Sequence, residues 1–174
     1  PRFRKGALTT GFIAEEYPDG FSARPPDAEE RSVLAAIAMT LELSRRDRLD
    51  RLTGRLAPHS GLLKPDWIVR LDGDYIPVSI GEGMVSIPVE IDLSIDGAEM
   101  MTVSTDWRPG EIVWRGNVGG RDVSAQVRPM ENGVRIAWRG LSSAARVMLP
   151  RIAELDRLMP TKPAPDTSRL LLCP

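Results

Sequence analysis

Cysteine and histidine are almost absent from this chain: one of each, Cys173 and His59, among 174 residues. That excludes an internal disulfide, a cysteine cage and a multi-histidine metal centre, and a lone thiol fits a reducing compartment. Charge of one sign is also lacking. Lys and Arg number 23 against 24 Asp and Glu, so no bulk positive field exists to hold a polyanion. Long hydrophobic runs are missing as well: no window approaches the roughly 18 apolar residues of a membrane span, and Arg2, Arg4 and Lys5 lead into no secretory signal. Lysine is scarce, with Lys5, Lys64 and Lys162 the only examples, a skew that GC-rich bacterial coding produces. The absence of an initiator Met and the ends at Pro1 and Pro174 suggest one piece of a longer polypeptide. Gly81-Glu82-Gly83 and Gly119-Gly120 lack the context of a phosphate loop and are expected to be turn glycines.

What is present is a globular balance, 42% hydrophobic and 27% charged, at the length of about one domain. A short helix is expected from about Thr10 to Tyr17, ended by Pro18 and Gly20. A second begins at Pro26, with Asp27, Glu29 and Glu30 placing negative charge in its first turn. Its interior is unusual. Val33, Leu34, Ala35, Ala36, Ile37, Ala38 and Met39 are consecutive, so apolar side chains point all round the axis and the helix must be enclosed. Beyond Ser44 the chain turns strongly charged through Arg55, and a proline-bounded loop follows.

From Asp66 the apolar period switches from 3.6 to 2 and stays there for most of the remaining chain. Trp67, Val69 and Leu71 lead to the Asp72-Gly73 turn, and Ile76, Val78 and Ile80 follow. Ser86 to Ile95 alternates cleanly, and Asp96-Gly97 turns it back into Met101, Val103 and Thr105. Ile112 and Trp114 continue the pattern after Pro109-Gly110, a turn is expected at 116–120, and further strands carry Val123 to Val127, Val134 to Trp138 and Ala145 to Leu149. Short links imply antiparallel neighbours, and about eight such strands can close into a barrel that removes its own edges. The apolar helix then lies along the barrel interior or across its mouth. A terminal stretch, Pro150 to Met159, is expected to cap one end through Ile152, Leu155 and Leu158, with a proline-containing linker beyond.

Chemistry has few candidates here. His59 is the one available base, but it sits between Pro58 and Ser60 in a loop, where an interface or solvated role competes with catalysis. Glu90 and Asp92 share a strand face with Ser94, which marks the solvent side of a sheet better than an acid/base pair. Trp67, Trp107, Trp114 and Trp138 fall at or near inward positions. The arginines from Arg45 to Arg55 could engage phosphate, but interleaved Asp47 and Asp50 suit a salt-bridged helical face.

Specific text carries more. Thr10-Gly11-Phe12-Ile13-Ala14-Glu15-Glu16-Tyr17-Pro18-Asp19-Gly20-Phe21 closely resembles the last stretch of a biotin carboxylase domain. Asp166-Thr167-Ser168-Arg169-Leu170-Leu171-Leu172-Cys173-Pro174 resembles the linker into a biotin carboxyl carrier domain, and Lys64-Pro65-Asp66 with the strand after it is similar to the segment between those domains. Together they resemble the BT domain of propionyl-CoA carboxylase alpha subunits. The resemblance implies an α+β, mainly β architecture, an eight-stranded antiparallel barrel around a long central helix. It divides the chain into the end of a biotin carboxylase domain (1–25), an interaction domain (26–160) and a linker (161–174). Within the second part it places the helix at 26–48, a hook loop at 56–65, the barrel at 66–149 and a terminal helix at 150–159.

The implied role is non-catalytic assembly, with the hook docking on the carboxyltransferase beta subunit through Leu56, Ala57, Pro58, His59, Ser60, Gly61, Leu62, Leu63 and Lys64. The ATP-grasp residues and the Met-Lys-Met biotinylation motif are absent, so the segment itself is expected to bind no cofactor or metal; biotin, ATP and Mg belong to the implied parent enzyme. Implied partners are the beta subunit and the flanking carboxylase and carrier domains, with neither nucleic acid nor membrane, in a bacterial cytoplasm. The rival from another class is a small-ligand-binding barrel, which an interior filled by the helix would disfavour. Leu62 and Leu63 are expected to contact the partner, the competing role being a plug in the barrel mouth.

Overall fold

In the computed structural model, residues 6, 11–16, 18, 24–52, 66–85 and 87–160 are described. A capping box begins the long helix. The Asp27 carboxylate accepts from the Glu30 backbone N–H at 2.9 Å, and the Glu30 carboxylate accepts from the Asp27 N–H at 3.0 Å. Asp27 is thus the N-cap and Pro26 lies outside the helix, which runs Ala28–Asp50 and is labelled α2; a five-residue α1, Phe12–Glu16, precedes it. Every residue from Val33 to Leu41 is buried, Thr40 included, as are Leu43 and Ser44.

Eight strands enclose this helix: β1 (Asp66–Leu71), β2 (Asp74–Met84), β3 (Val89–Ile95), β4 (Met101–Thr105), β5 (Val113–Val118), β6 (Arg121–Met130), β7 (Gly133–Trp138) and β8 (Leu141–Met148). Each pairs antiparallel with the next, and β1 pairs with β8, from Ile68 opposite Met148 to Leu71 opposite Ala145, to close the barrel. The inward row of each strand meets the helix. Val69, Ile91, Leu93, Trp114 and Ile136 form one core with Leu34, Ile37, Met39 and Leu43, and α2 packs on β1, β3, β4, β5, β7 and β8. The helix therefore runs through the interior. Full burial of each large aliphatic side chain there contributes about 1.5 to 3 kcal/mol.

Several local expectations change. Gly81 and Gly83 are strand residues of β2, where the register with β3 shifts between Ile80 and Gly83. A Cβ on Gly83 would lie 2.4 Å from the Glu90 carbonyl oxygen, so the bulge requires a bare backbone. Gly116 likewise lies inside β5, because a Cβ there would meet the Ser104 carbonyl oxygen and the Trp114 ring; the turn is Gly119-Gly120 alone. Pro88 has no N–H to give a ladder, and β3 starts at Val89, not Ser86. Ile112 stands outside β5 and is 67% exposed.

The last helix, α3 (Pro150–Arg157), caps neither end. It lies along the outside of the wall against β1 and buries Ala153 and Asp156, leaving Ile152, Leu155 and Leu158 outward at 44%, 46% and 79% exposure. The cause is polar. Asp156 accepts hydrogen bonds from Tyr75 Oη at 2.7 Å, Arg146 Nη1 at 2.9 Å and Arg70 Nη1 at 3.0 Å, and those three partners fix which face turns in.

Candidate functional site

The axial helix gives the barrel two unlike poles. Around the start of α2 lie the tight hairpins. Glu29 pairs with Arg121 beside the β5–β6 turn, and Arg31 lies 3.5 Å from Asp74 of the β1–β2 hairpin. Arg24 holds Glu30 through two hydrogen bonds, at 2.7 and 2.5 Å. That guanidinium first, and the Asp27 N–H next, lower the Glu30 carboxyl to about 2. The latch of α3 lies toward this pole, because Asp156 grips Arg70 and Tyr75 just short of the Asp72-Gly73 turn, and Arg157 stacks over the Tyr75 ring at 4.5 Å. Tyr75 first, then the two guanidiniums, hold the Asp156 carboxyl below its ordinary range; the same bond pushes Tyr75 up.

At the opposite pole, the mouth, α2 leaves the barrel. Glu42 accepts from Arg46 at 2.6 Å and from Arg45 at 2.9 and 3.0 Å, and Arg46 lies 4.7 Å from the ring centre of Trp67 at the start of β1. Arg51 pairs with Asp47 at 2.9 Å. These pairs make the charged turn after Ser44 a salt-bridged face. Between α2 and the wall lies a groove of about 600 Å³, bordered by Leu41, Glu42 and Arg45, by Trp107 and Ile112, and by Val134 and Val147. Exposed Ile112 and Met130 line this groove, and exposed Leu52 follows the end of α2.

The stretch 53–65, which contains all nine expected docking residues from Leu56 through His59 to Lys64, lies outside the described residues; so does 161–174. Its two anchors are described. It leaves from Leu52, just past the end of α2, and rejoins at Asp66, the first residue of β1, both at the mouth pole. Among the described residues no three His, Cys, Asp or Glu side chains lie close enough together to hold a metal ion, and the shifted titratable groups are bound in hydrogen-bonded pairs.

Residues 34–162 match the family described as the propionyl-coenzyme A carboxylase BT domain. The chain belongs to that family. Among curated relatives, the propionyl-CoA carboxylase alpha chain of Ruegeria pomeroyi is 39% identical over 175 residues, covering 100% of this chain and 25% of the relative. The mitochondrial alpha chain of Mus musculus is 28% identical over 183 residues, and that of Caenorhabditis elegans 22% over 183, each covering 99% of this chain. The BT chain therefore spans about a quarter of the length of the curated relatives it matches.

Two features of this BT domain escape the sequence pattern. Asp156 sits in a helix whose Ile152, Leu155 and Leu158 spacing points to the wrong buried face, and no linear signal connects it to Arg70 and Arg146. Thr40 is more accessible to inference: it interrupts an all-apolar run and accepts the indole N–H of Trp114 at 3.1 Å, deep in the core.

Proposed function

We propose that this BT domain is a non-catalytic assembly module that docks an acyl-CoA carboxylase alpha subunit onto its carboxyltransferase beta subunit. One observation carries the reading. The chain enters the barrel at the hairpin pole through Arg24 and α2, and the described chain ends just past α3, back toward that pole; stretch 53–65 is anchored at the other. A module whose covalent neighbours attach at one pole and whose partner attaches at the other holds two enzymes at a set separation. Tethering of this kind raises effective concentration without adding catalytic groups. The filled interior supports assembly over a small-ligand barrel, because Leu34, Ile37, Met39 and Leu43 occupy the space a ligand would need. On this reading the groove at the mouth pole, where the anchors of 53–65 lie, receives apolar side chains of the partner. A bacterial cytoplasm suits the lone cysteine and arginine-rich composition.

The test is co-purification of this chain with a tagged propionyl-CoA carboxylase beta subunit. Stoichiometric retention is expected. Passage of a folded chain straight through the column contradicts the proposal.

A further inference from the structure

The helix that closes the described chain is held in an unusual way. An amphipathic helix on a barrel wall normally turns its apolar stripe inward. Ile152 and Leu155 of α3 face out at 44% and 46% exposure, as do Leu158 and Met159 just past its end at 79% and 68%, and the buried positions of the helix are one alanine and one carboxylate. Apolar burial therefore contributes little to docking of α3. Its attachment rests on Asp156, whose side chain is 5% exposed and bonded to Arg70, Arg146 and Tyr75, with Arg157 stacked on the Tyr75 ring.

Segments with few buried apolar contacts open at lower free energy than the core around them. The barrel does not need α3. Its ladder closes through β1 and β8, and its core holds neither Ala153 nor Met148. What α3 does set is the direction in which the chain departs. β8 ends at Met148, opposite Ile68, at the mouth pole where 53–65 is anchored. From there α3 runs back along the wall, so that Arg157 lies over Tyr75 near the β1–β2 hairpin.

We propose that α3 is a releasable strap, latched by Asp156, that selects the pole from which the following polypeptide leaves. Latched, the chain departs toward the hairpin pole, where α2 also begins. Released, it departs from the end of β8 at the mouth pole, and 150–157 lengthen from about 12 Å as helix to about 26 Å extended. One small local opening thus redirects and lengthens the tether. The opening does not depend on the docking role proposed above, and its test needs no partner.

Native-state hydrogen exchange of the whole chain, read amide by amide, tests the strap first. Amides of α3 are expected to exchange through a local opening, with protection at least roughly 100-fold below that of β1 and β8. Asp156→Ala is expected to abolish that residual protection while the barrel amides keep theirs. Direction is read by energy transfer from a dye on the native Cys173 to a second dye at Leu52→Cys, by the mouth, or at Glu99→Cys, on the β3–β4 turn. With Asp156→Ala, transfer to position 52 should rise and transfer to position 99 should fall. Equal protection of α3 and the barrel in the unsubstituted chain overturns the proposal. So does loss of the barrel in Asp156→Ala, which would make the helix part of one cooperative unit, and so does unchanged transfer from both positions.

Discussion

At Ala36 and Ile37 the barrel leaves no room for charge. Both side chains are fully buried on a helix that the closed eight-stranded barrel surrounds. Ala36→Asp or Ile37→Asp puts an unpaired carboxylate among them, which costs several kcal/mol or forces protonation. Since whole domains are stable by only about 5 to 15 kcal/mol, either variant should lose its cooperative melting transition or show it much lowered. An unchanged melting midpoint would contradict interior placement. Thr40 gives a finer probe. Its hydroxyl accepts from Trp114 and donates to the Ile37 carbonyl at 2.9 Å. Thr40→Val keeps the shape but leaves the indole N–H unpaired, a loss of about 1 to 3 kcal/mol, visible as a lower urea midpoint at unchanged slope.

Elements were legible to the extent that one periodic signal governed them. The α2 interior is apolar all round, and only an enclosed helix satisfies that; the alternation from Trp67 to Leu93 admits only half-buried strands. Where two signals competed, the pattern misled. Glycine commonly marks a turn, yet Gly83 and Gly116 are strand residues that let a neighbouring backbone approach. In α3 the apolar spacing pointed to one face, and hydrogen bonds from β1, from β2 and from the preceding β8 chose another. The start of α2 supplies an acid-sensitive element. Arg24 and the capping box lower Glu30 in the fold to about 2 from an ordinary 4.5. A depressed carboxylate contributes stability above its unfolded pKa and loses it as pH falls toward the folded value. The stability gap between the unsubstituted chain and Glu30→Gln should therefore be full near neutral pH, narrow below about 4.5 and close near 2. Denaturant midpoints measured over that range check it; a gap independent of pH would mean the Arg24 pair does not hold the ionised form.

For the whole molecule, the arrangement matters more than any side chain. Helix and sheet satisfy each other so fully that the barrel offers rigidity and two separate poles. Barrel and axial helix were both legible in the sequence, but the opposed positions of chain entry and of the anchors Leu52 and Asp66 were not, because polarity of an axial helix inside a closed sheet emerges only from pairs such as Arg31 with Asp74 and Arg46 with Trp67. Leu62 and Leu63 lie in the stretch between those anchors. Buried at a partner's surface, two leucines contribute enough that Leu62→Ser with Leu63→Ser should weaken docking by roughly tenfold to several hundredfold. The core of the described residues is built by α2 and the eight strands, so a docking role predicts that the doubly substituted chain melts as before. Sedimentation velocity of the chain titrated with the carboxyltransferase beta subunit tests the central claim most directly. A complex that forms with the unsubstituted chain and dissociates at least roughly tenfold more readily with the double substitution is the predicted result. Equal affinity for the two chains, or no complex with either, would contradict it.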